Sequence, residues 1–236
     1  MLGRLDAGLA RERRFVADAS HELRTPLATL QTELELALRR PRSPEELEAA
    51  LSSAGEEVER LVRLAEDLLT LARADDGLLP LNVEPHGAGA LLDAVAVRNG
   101  ARASAAGRMV EVSVTGDEAF TGDRLRLEQA LGNLVDNALR HGSGAIRLGA
   151  RAENGWVALS VSDEGRGFPP EFLAHAFERF SRADAARSGG GVGLGLAIVD
   201  VIARSHGGSA RAANRAEGGA EVTILIPSAS AHRDLI

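Results

Sequence analysis

The sequence predicts a two-domain chain: an antiparallel helical hairpin, followed by an α+β sandwich whose mixed sheet carries helices on one face. In the first third of the chain, apolar residues recur at steps of three and four, which is the spacing of a buried helical stripe. From Leu81 onward, short β-rich runs alternate with helical stretches. Turn signals at 153–155 and 217–219 join neighbouring strands, which indicates a mixed or antiparallel sheet rather than a doubly wound one.

The first helix is predicted over residues 1–40, and it presents a histidine on its outer face. Its apolar stripe comprises Leu5, Leu9, Val16, Ala19, Leu23, Leu27, Leu30, Leu34 and Ala37. At about 100° per residue, His21 lies opposite this stripe and faces away from it. Thr25 lies one turn further on the same face, with Glu22 beside it. Pro26 should loosen or bend the helix just beyond. Most single helical histidines are ordinary surface or core residues, but the tolerated proline and these neighbours favour a positioned imidazole.

A second helix is predicted to begin at Ser43, an N-cap candidate followed by a proline that suits the first helical position. Gly77 supplies its C-cap. The apolar positions between them alternate four and three without a slip, which is a heptad seam. The seam comprises Leu47, Leu51, Ala54, Val58, Leu61, Ala65, Leu68 and Ala72. Since two antiparallel helices bury too little alone, we expect the helical hairpin to dimerise into a four-helix bundle.

The predicted boundaries follow from these patterns. The helical hairpin occupies residues 1–76, the linker lies near 75–80, the α+β domain occupies 81–228, and a tail follows at 229–236. Within the second domain, strands are predicted over 81–84, 109–114, 146–151, 156–162 and 221–226, and helices near 87–104, 123–141 and 193–206.

Composition excludes several classes of chemistry. The formal charge of −7 argues against a nucleic-acid or anionic-membrane partner. The chain has no cysteine, which excludes disulfides, thiolate catalysis and cysteine-based zinc sites. It also has no lysine, so a Walker-A loop and Schiff-base chemistry are impossible. Apolar runs fall far short of the ~18 residues of a spanning helix, so we expect a soluble, cytoplasmic chain. Because the first helix begins in the middle of its apolar pattern, we expect the chain to be the cytoplasmic part of a longer receptor.

The predicted helix over 123–141 carries the first of four candidate binding features. Its apolar face is opposite a polar face that holds Asn133, Asn137 and Arg140 at i, i+4 and i+7. Asparagine is a poor helix former, so two on one face in mid-helix suggest ligands, although exposed asparagines also occur by chance. Amide oxygens are reasonable ligands for a hard cation such as Mg²⁺ on a triphosphate.

Two glycine-containing segments follow. After the strand that ends at Ser162, Asp163 could accept the exocyclic amine of adenine, and Gly165 and Gly167 would let the backbone approach the base; a tight surface turn is the alternative. Further on, a glycine run at 189–195 leads directly into a helix, where free N–H groups and the positive end of the helix dipole favour phosphate. A flexible linker is the alternative there, but a linker would not lead into a core helix.

The fourth feature is Phe177-Glu178-Arg179-Phe180 with Arg182, before a segment rich in Ala, Arg, Ser and Gly. This composition is typical of a lid that orders over a bound nucleotide. An ordinary loop with two buried phenylalanines is the alternative.

These features resemble the sequence boxes of one family. His21-Glu22-Leu23-Arg24-Thr25-Pro26, preceded by Phe15 and Ser20, resembles the phosphoacceptor box of two-component sensor histidine kinases. The four later features, in this order and spacing, resemble the N, G1, F and G2 boxes of the gyrase-type (Bergerat) ATP-binding domain, with 218–219 as a further glycine turn. The resemblance covers roughly residues 10–228. Arg140 and His141 depart from it, because many relatives have Lys and an aromatic residue there, and Arg and Lys are not interchangeable at phosphate sites.

The resemblance implies an ATP-dependent protein-histidine autokinase. In such an enzyme, His21 would attack the γ-phosphorus through its ε nitrogen, and Glu22 would take or orient the proton on the δ nitrogen. Thr25 with Glu22 would position the water that dephosphorylates the partner protein. Asn133 and Asn137 hold Mg²⁺ on the triphosphate, and Asp163 reads adenine. The other nucleotide-binding positions that the resemblance implies are Arg140, His141, Gly165, Gly167, Arg182, Gly191, Gly193, Leu194 and Gly195, with 191, 193 and 195 cradling phosphates.

The resemblance also implies partners. The chain would form a homodimer through the helical hairpin and pass its phosphoryl group to an aspartate of a response regulator receiver domain. No nucleic-acid partner is expected, and the membrane would be reached only through an N-terminal sensor region of an inner-membrane receptor. Three rival hypotheses are a dimeric ATP-binding scaffold without transfer, a gyrase-like ATPase acting on DNA, and a kinase of serine on a partner. The His21–Glu22 pair argues against the first, the acidic charge against the second, and the third has no use for His21.

Overall fold

The computed structural model describes residues 2–39, 43–75, 77, 79–116, 119–183 and 192–229, with side chains from Phe15 onward except that of residue 75. The chain divides into two compact units, Met1–Ala72 and Arg73–Ile236. We call them the hairpin unit and the α/β unit and describe each separately. Among the described residues, no helix is both long enough and apolar enough to cross a membrane.

Two long helices build the hairpin unit, as predicted: α1 (Leu2–Leu38) and α2 (Pro44–Asp75). Pro26 lies inside α1, which remains one helix across it. The start of α2 is a reciprocal capping box. The Glu46 N–H donates to Ser43 Oγ and the Ser43 N–H donates to Glu46 Oε2, both at 3.2 Å. At the other end, Gly77 adopts a φ of +66° and its N–H donates to the Ala74 carbonyl, which confirms the predicted C-cap.

The apolar surface of the hairpin unit is wider than one seam. Ser53 Oγ of α2 donates to Glu33 Oε1 of α1 at 3.0 Å, which places these faces against each other. Ala54 of the predicted seam is buried, as are Leu64 and Leu71 outside it. Other seam positions stay largely exposed in the single chain. These are Leu47, Leu51 and Val58 on α2, with Val16, Leu27 and Leu34 of the predicted stripe on α1.

The α/β unit contains the predicted mixed sheet. Its five strands are ordered β2 (Val110–Thr115), β4 (Ile146–Glu153), β5 (Trp156–Ser162), β7 (Ala220–Pro227) and β6 (Ser209–Asn214). Among the strands of this sheet that the structure describes, only β2 and β4 pair in parallel. Both predicted turn signals join antiparallel partners, since β4 pairs with β5 and β6 with β7. A separate antiparallel pair consists of β1 (Glu84–Gly87) and β3 (Ala119–Gly122).

Three helices cover one face of the sheet: α3 (Ala88–Ala105), α4 (Arg124–His141) and α6 (Gly195–Ser205). A four-residue helix, α5 (Pro170–Leu173), precedes the segment from Phe177 onward that was predicted to form a lid. The apolar face predicted for α4 is the buried one, and it comprises Leu127, Leu131, Leu134, Val135 and Ala138. Ile198 and Ile202 of α6 are also fully buried. This common core fixes α4 and α6 side by side, and both carry candidate binding residues.

The strand predictions were wrong in three places. The first strand lies at Glu84–Gly87 rather than 81–84, and β3 and β6 were not predicted. β6 has the sequence Ser-Ala-Arg-Ala-Ala-Asn, which contains no β-branched or aromatic residue. Its pairing with β7 therefore depends on tertiary contacts rather than on local propensity.

Candidate functional site

The hairpin unit displays an accessible imidazole. His21 is exposed on α1, Glu22 beside it is half-buried, and Thr25 one turn on is exposed. The Thr25 hydroxyl donates to the His21 carbonyl oxygen at 3.4 Å, so it is held against the turn that carries the histidine. The structure therefore brings these three predicted residues together and confirms that the ring faces away from the helical packing.

The α/β unit places both predicted asparagines on the partly accessible side of α4. Asn133 and Asn137 are half-buried, whereas Arg140 and His141 in the last turn are exposed. The buried Nδ2 atom of Asn133 has no hydrogen-bond partner among the described residues. Because an unpaired buried donor is costly, Nδ2 of Asn133 is suited to an acceptor, such as a phosphate oxygen, that the described residues do not supply.

The beginning of α6 lies directly beside Asn133. A Cβ atom built on Gly195, the first residue of α6, would be 3.8 Å from the Asn133 Cβ. Leu194, at the N-cap position, is buried and gives α6 no side-chain cap. The first turn of α6 thus lies next to Asn133 and has no side-chain cap in the described part of the chain. An anion fits such a helix start, and a hard cation would be bound by Oδ1 of the adjacent amide.

The glycines before α6 have a second explanation. Gly193 has a φ of +79°, and a Cβ atom there would lie 2.7 Å from the Ser181 carbonyl oxygen. Its lack of a side chain is thus required by the backbone of Phe180 and Ser181, and Phe180 itself has a positive φ of +60°. Gly191 lies outside the described residues. Arg182, the last predicted residue of this region, is exposed.

Asp163 is buried at the start of a tightly held loop. The whole residue is only 6% exposed, and its Oδ1 accepts a hydrogen bond from the Gly165 N–H at 2.6 Å. The Asp163 N–H donates to the Ala220 carbonyl at 3.0 Å, which ties the loop to β7. The carboxylate of Asp163 is therefore fixed in direction by its own loop.

The two glycines of this loop were expected to admit a base, but the protein fills the space beside each. A Cβ atom on Gly165 would lie 2.8 Å from Asp163 Oδ1 and 2.9 Å from the Gly142 Cα. Gly167 has a φ of +75° and lies against the carboxamide of Asn214. Packing of the loop itself thus accounts for both residues.

Several residues that support the site were not identified from the sequence. Ser143 exchanges backbone and side-chain hydrogen bonds with Glu164, at 2.9 and 3.0 Å. Arg147 contacts Glu164 at 2.5 Å and Glu111 at 3.1 Å. The hydrogen bond from Arg147 lowers the pKa of the Glu164 carboxyl and raises the pKa of Arg147 itself. These exposed pairs orient the loop rather than contribute much stability.

Arg108 anchors the C-terminal end of α4. Its guanidinium donates to the carbonyl oxygens of Ala138, Ser143 and Gly144 at 2.5, 3.0 and 2.7 Å. Cationic groups at a helix C-terminus satisfy otherwise unpaired carbonyls and interact favourably with the dipole. No periodic pattern marks this residue, because its partners lie at least thirty positions away.

His206 connects the C-terminal end of α6 with the N-terminal end of α4. Its Nε2 accepts from the Asp123 N–H at 2.9 Å, and Nδ1 lies 2.8 Å from the Ile202 carbonyl. The Asp123 carboxylate caps α4 by accepting from the Arg126 N–H, and it also accepts from the Asn82 N–H. Burial lowers the pKa of His206, so the fold favours the neutral ring that this arrangement needs.

Comparison with known proteins agrees with this geometry. Residues 11–77 match the model of the His Kinase A (phospho-acceptor) domain, and residues 122–230 match that of the Histidine kinase-, DNA gyrase B-, and HSP90-like ATPase. Both domains of one class of signalling enzyme are therefore present in order. The chain belongs to the two-component sensor histidine kinases.

Individual relatives support the same assignment. The chain is 42% identical over 203 residues to a probable sensor histidine kinase, HK, of Mycobacterium tuberculosis, covering 86% of this chain and 53% of the relative. Among solved structures it resembles the histidine kinase AdeS of Acinetobacter baumannii with a TM-score of 0.73 and 29% identity, over 89% of this chain and 98% of that one. It also resembles full-length ShkA in complex with AMPPNP, with a TM-score of 0.69 and 29% identity, over 92% of this chain and 46% of that one. The chain spans about half the length of the curated relatives that it matches.

Proposed function

We propose that this chain is an ATP-dependent autokinase that phosphorylates His21 and passes the phosphoryl group to an aspartate of a response regulator. The observation that carries the proposal is the exposed imidazole of His21, displayed on a helix that matches a phospho-acceptor domain. The second domain supplies the complementary half, an ATPase-family unit with an uncapped helix N-terminus beside the unpartnered amide of Asn133.

The nucleotide would be held by three groups of residues. The start of α6, at Gly193 to Gly195, would receive phosphates through its backbone N–H groups. Asp163 would accept the exocyclic amine of adenine. Asn133 and Asn137 would hold Mg²⁺, which neutralises charge on the triphosphate when it is bound. We assign Arg140, His141, Gly165, Gly167, Arg182, Gly191 and Leu194 to the same site.

In the proposed reaction, the hairpin unit supplies the nucleophile. A lone pair on Nε2 of His21 forms the new N–P bond, the bond between the γ-phosphorus and the bridging oxygen breaks, and ADP leaves. Glu22 accepts or orients the proton on Nδ1, which keeps the lone pair on the attacking nitrogen. Because His21 is already exposed on a rigid helix, the two reactants need only to be positioned.

Thr25 and Glu22 would have a second role in dephosphorylating the regulator. The Thr25 hydroxyl is exposed and lies one turn from His21, so it could hold a water molecule at the same docking face. If Thr25→Ala leaves the rate of dephosphorylation of the partner unchanged, Thr25 has no such task, and Thr25→Ser should restore a lost rate.

The hairpin unit would also form the dimer. The large side chains at Val16, Leu27, Leu51 and Val58 are each about half exposed or more in the single chain. Apolar surface that recurs at helical spacing on both helices is suited to a four-helix bundle with a second copy.

The proposed domain limits are 1–76 for the helical hairpin, 81–228 for the ATP-binding domain and 229–236 for the tail. We assign the chain to the cytoplasmic portion of an inner-membrane-anchored receptor.

The test is labelling of the full chain with γ-labelled ATP. His21→Ala should abolish labelling while nucleotide binding persists, and His86→Gln, a histidine of β1 that packs against Phe120, should label normally. The phosphorylated product should be labile in acid and stable in base, as expected of a phosphohistidine and not of a phosphoserine. Labelled His21→Ala protein would overturn the assignment.

A further inference from the structure

The backbone just after the Asp163 loop is held by a side chain from a distant strand. The Phe168 N–H donates to Asn214 Oδ1 at 2.6 Å, and Asn214 Nδ2 donates to the Phe168 carbonyl at 2.8 Å. One carboxamide thus satisfies both backbone groups of one residue, as a neighbouring strand would. Asn214 is the last residue of β6, 46 positions further along the chain.

Gly167 is shaped to receive this carboxamide. A side chain at Gly167 would collide with Oδ1 of Asn214 and would approach the Gly219 carbonyl oxygen within 3.2 Å. The φ of +75° at Gly167 is also one that other residues rarely adopt. Asn214 and Gly167 are therefore matched, and the absence of a side chain at one makes room for the amide of the other.

The beginning of the loop is tied to the same turn between β6 and β7. Arg215 Nη1 donates to the Asp163 carbonyl at 3.2 Å, and the Arg215 N–H closes the turn by donating to the Gly219 carbonyl at 3.0 Å. Gly219 has a φ of +93°, and a Cβ atom there would lie 2.7 Å from the Asp163 carbonyl carbon. Both ends of the loop from Asp163 to Phe168 are thus fixed by one structural element.

We propose that Asn214 and Arg215 are positioning residues that set the nucleotide affinity and the base preference of the kinase through the Asp163 loop. A glycine-containing loop loses much conformational freedom when it is ordered, and supports that order it in advance remove this cost from binding. The inference rests on the proposed function, since it takes Asp163 as the residue that reads adenine.

Autophosphorylation kinetics of the full chain test the proposal. Asn214→Ala removes two hydrogen bonds, and the KM for ATP should rise about tenfold while the rate at saturating ATP stays unchanged. The preference for ATP over GTP should fall, because a loosened Asp163 discriminates less. Arg211→Ala is the matched control, since Arg211 also lies on β6 but contacts Glu153 rather than the Asp163 loop, and the KM of this variant should equal that of the unmodified chain.

A double-mutant cycle separates positioning from general damage. Gly167→Ala should raise the KM strongly, but it should cost less when Asn214 is already alanine, because the collision with the carboxamide is then absent. Additive losses would overturn the pairing. Asn214→Asp keeps the acceptor for the Phe168 N–H and loses the donation to its carbonyl, so it should show an intermediate KM even if the alanine variant folds poorly.

The two proposals fail in different ways. If the unmodified chain is not labelled at any ATP concentration, the proposed kinase function is wrong. If it is labelled, but Asn214→Ala retains the original KM and the original preference for ATP, the role of Asn214 is wrong and the kinase assignment stands. A drop in the saturated rate with an unchanged KM also overturns the positioning role.

Discussion

Asp123→Ala should destabilise the α/β unit substantially, because one carboxylate supports two separate backbone groups. Oδ1 accepts from the Arg126 N–H at 3.0 Å as the N-cap of α4, and Oδ2 accepts from the Asn82 N–H at 2.9 Å. Asp123 is buried, so alanine leaves the Asn82 N–H without its partner. Loss of an N-cap costs about 1 kcal/mol, and loss of a charge-assisted hydrogen bond costs about 1.5–3 kcal/mol. We expect the free energy of unfolding to fall by about 3 kcal/mol.

Urea denaturation followed by tryptophan fluorescence measures this loss. Trp156 is the single tryptophan of the chain and lies on β5, so its signal reports the α/β unit and not the helical hairpin. With a urea slope of about 2–3 kcal/mol/M, the midpoint should fall by about 1 M or more.

Asp123→Asn is the comparison variant, because it retains one of the two acceptor oxygens. Its oxygen can still cap α4, but its NH2 group cannot accept from the Asn82 N–H, so its loss should be intermediate, at about 2 kcal/mol. An Asp123→Ala midpoint within about 0.2 M of the unmodified chain would refute the reasoning. Equal losses for the alanine and asparagine variants would show that the acceptor geometry is not the cause.

Three further outcomes follow from the described contacts. Burial lowers the pKa of His206 from its ordinary 6.5, so the unfolded chain binds a proton at this ring more readily than the folded chain does. The contribution of the neutral ring to stability should be complete above pH 6.5 and should fall as the pH drops towards the lowered pKa. His206→Gln should flatten this pH dependence of the free energy of unfolding in urea titrations between pH 5 and 8. Ser43→Ala breaks the capping box of α2 and should cost about 1 kcal/mol in thermal unfolding followed by circular dichroism, whereas the exposed mid-helix Ser52→Ala should be nearly neutral. Asn137→Ala should weaken magnesium-dependent ATP binding at least tenfold, a role that unchanged affinity in calorimetry would contradict.

Long elements with a strong apolar period were predictable. The helices α1, α2 and α4 follow patterns that continue for four or more turns, so their existence and buried faces could be derived locally. β3 and β6 could not, because β3 has only four residues and its partner β1 lies more than thirty positions earlier, and β6 contains no β-branched or aromatic residue. The seam of α2 was predicted as one stripe, whereas burial in the single chain includes Ala54 of that seam and also Leu64 and Leu71 outside it.

The candidate site was predictable where a residue type itself is unusual. Two asparagines in mid-helix and a helix that opens with glycine were recognisable without a structure. The supports at Arg108, Ser143 and Asn214 were not, because each acts on backbone groups more than twenty positions away and no local pattern precedes it. The glycines of the Asp163 loop were predicted to let the backbone approach a base; that role stays a prediction, and the structure adds that neighbouring protein atoms also occupy the space beside them.

The dependence of the Asp163 loop on Asn214 and Arg215 also sets an order of events during synthesis. The loop leaves the ribosome 46 to 52 residues before the groups that hold it. At about 5–20 residues per second, the nascent chain passes several seconds with the Asp163 loop unsupported. Under the proposed function, a chain that ends before Asn214 should therefore bind nucleotide less tightly than the full chain.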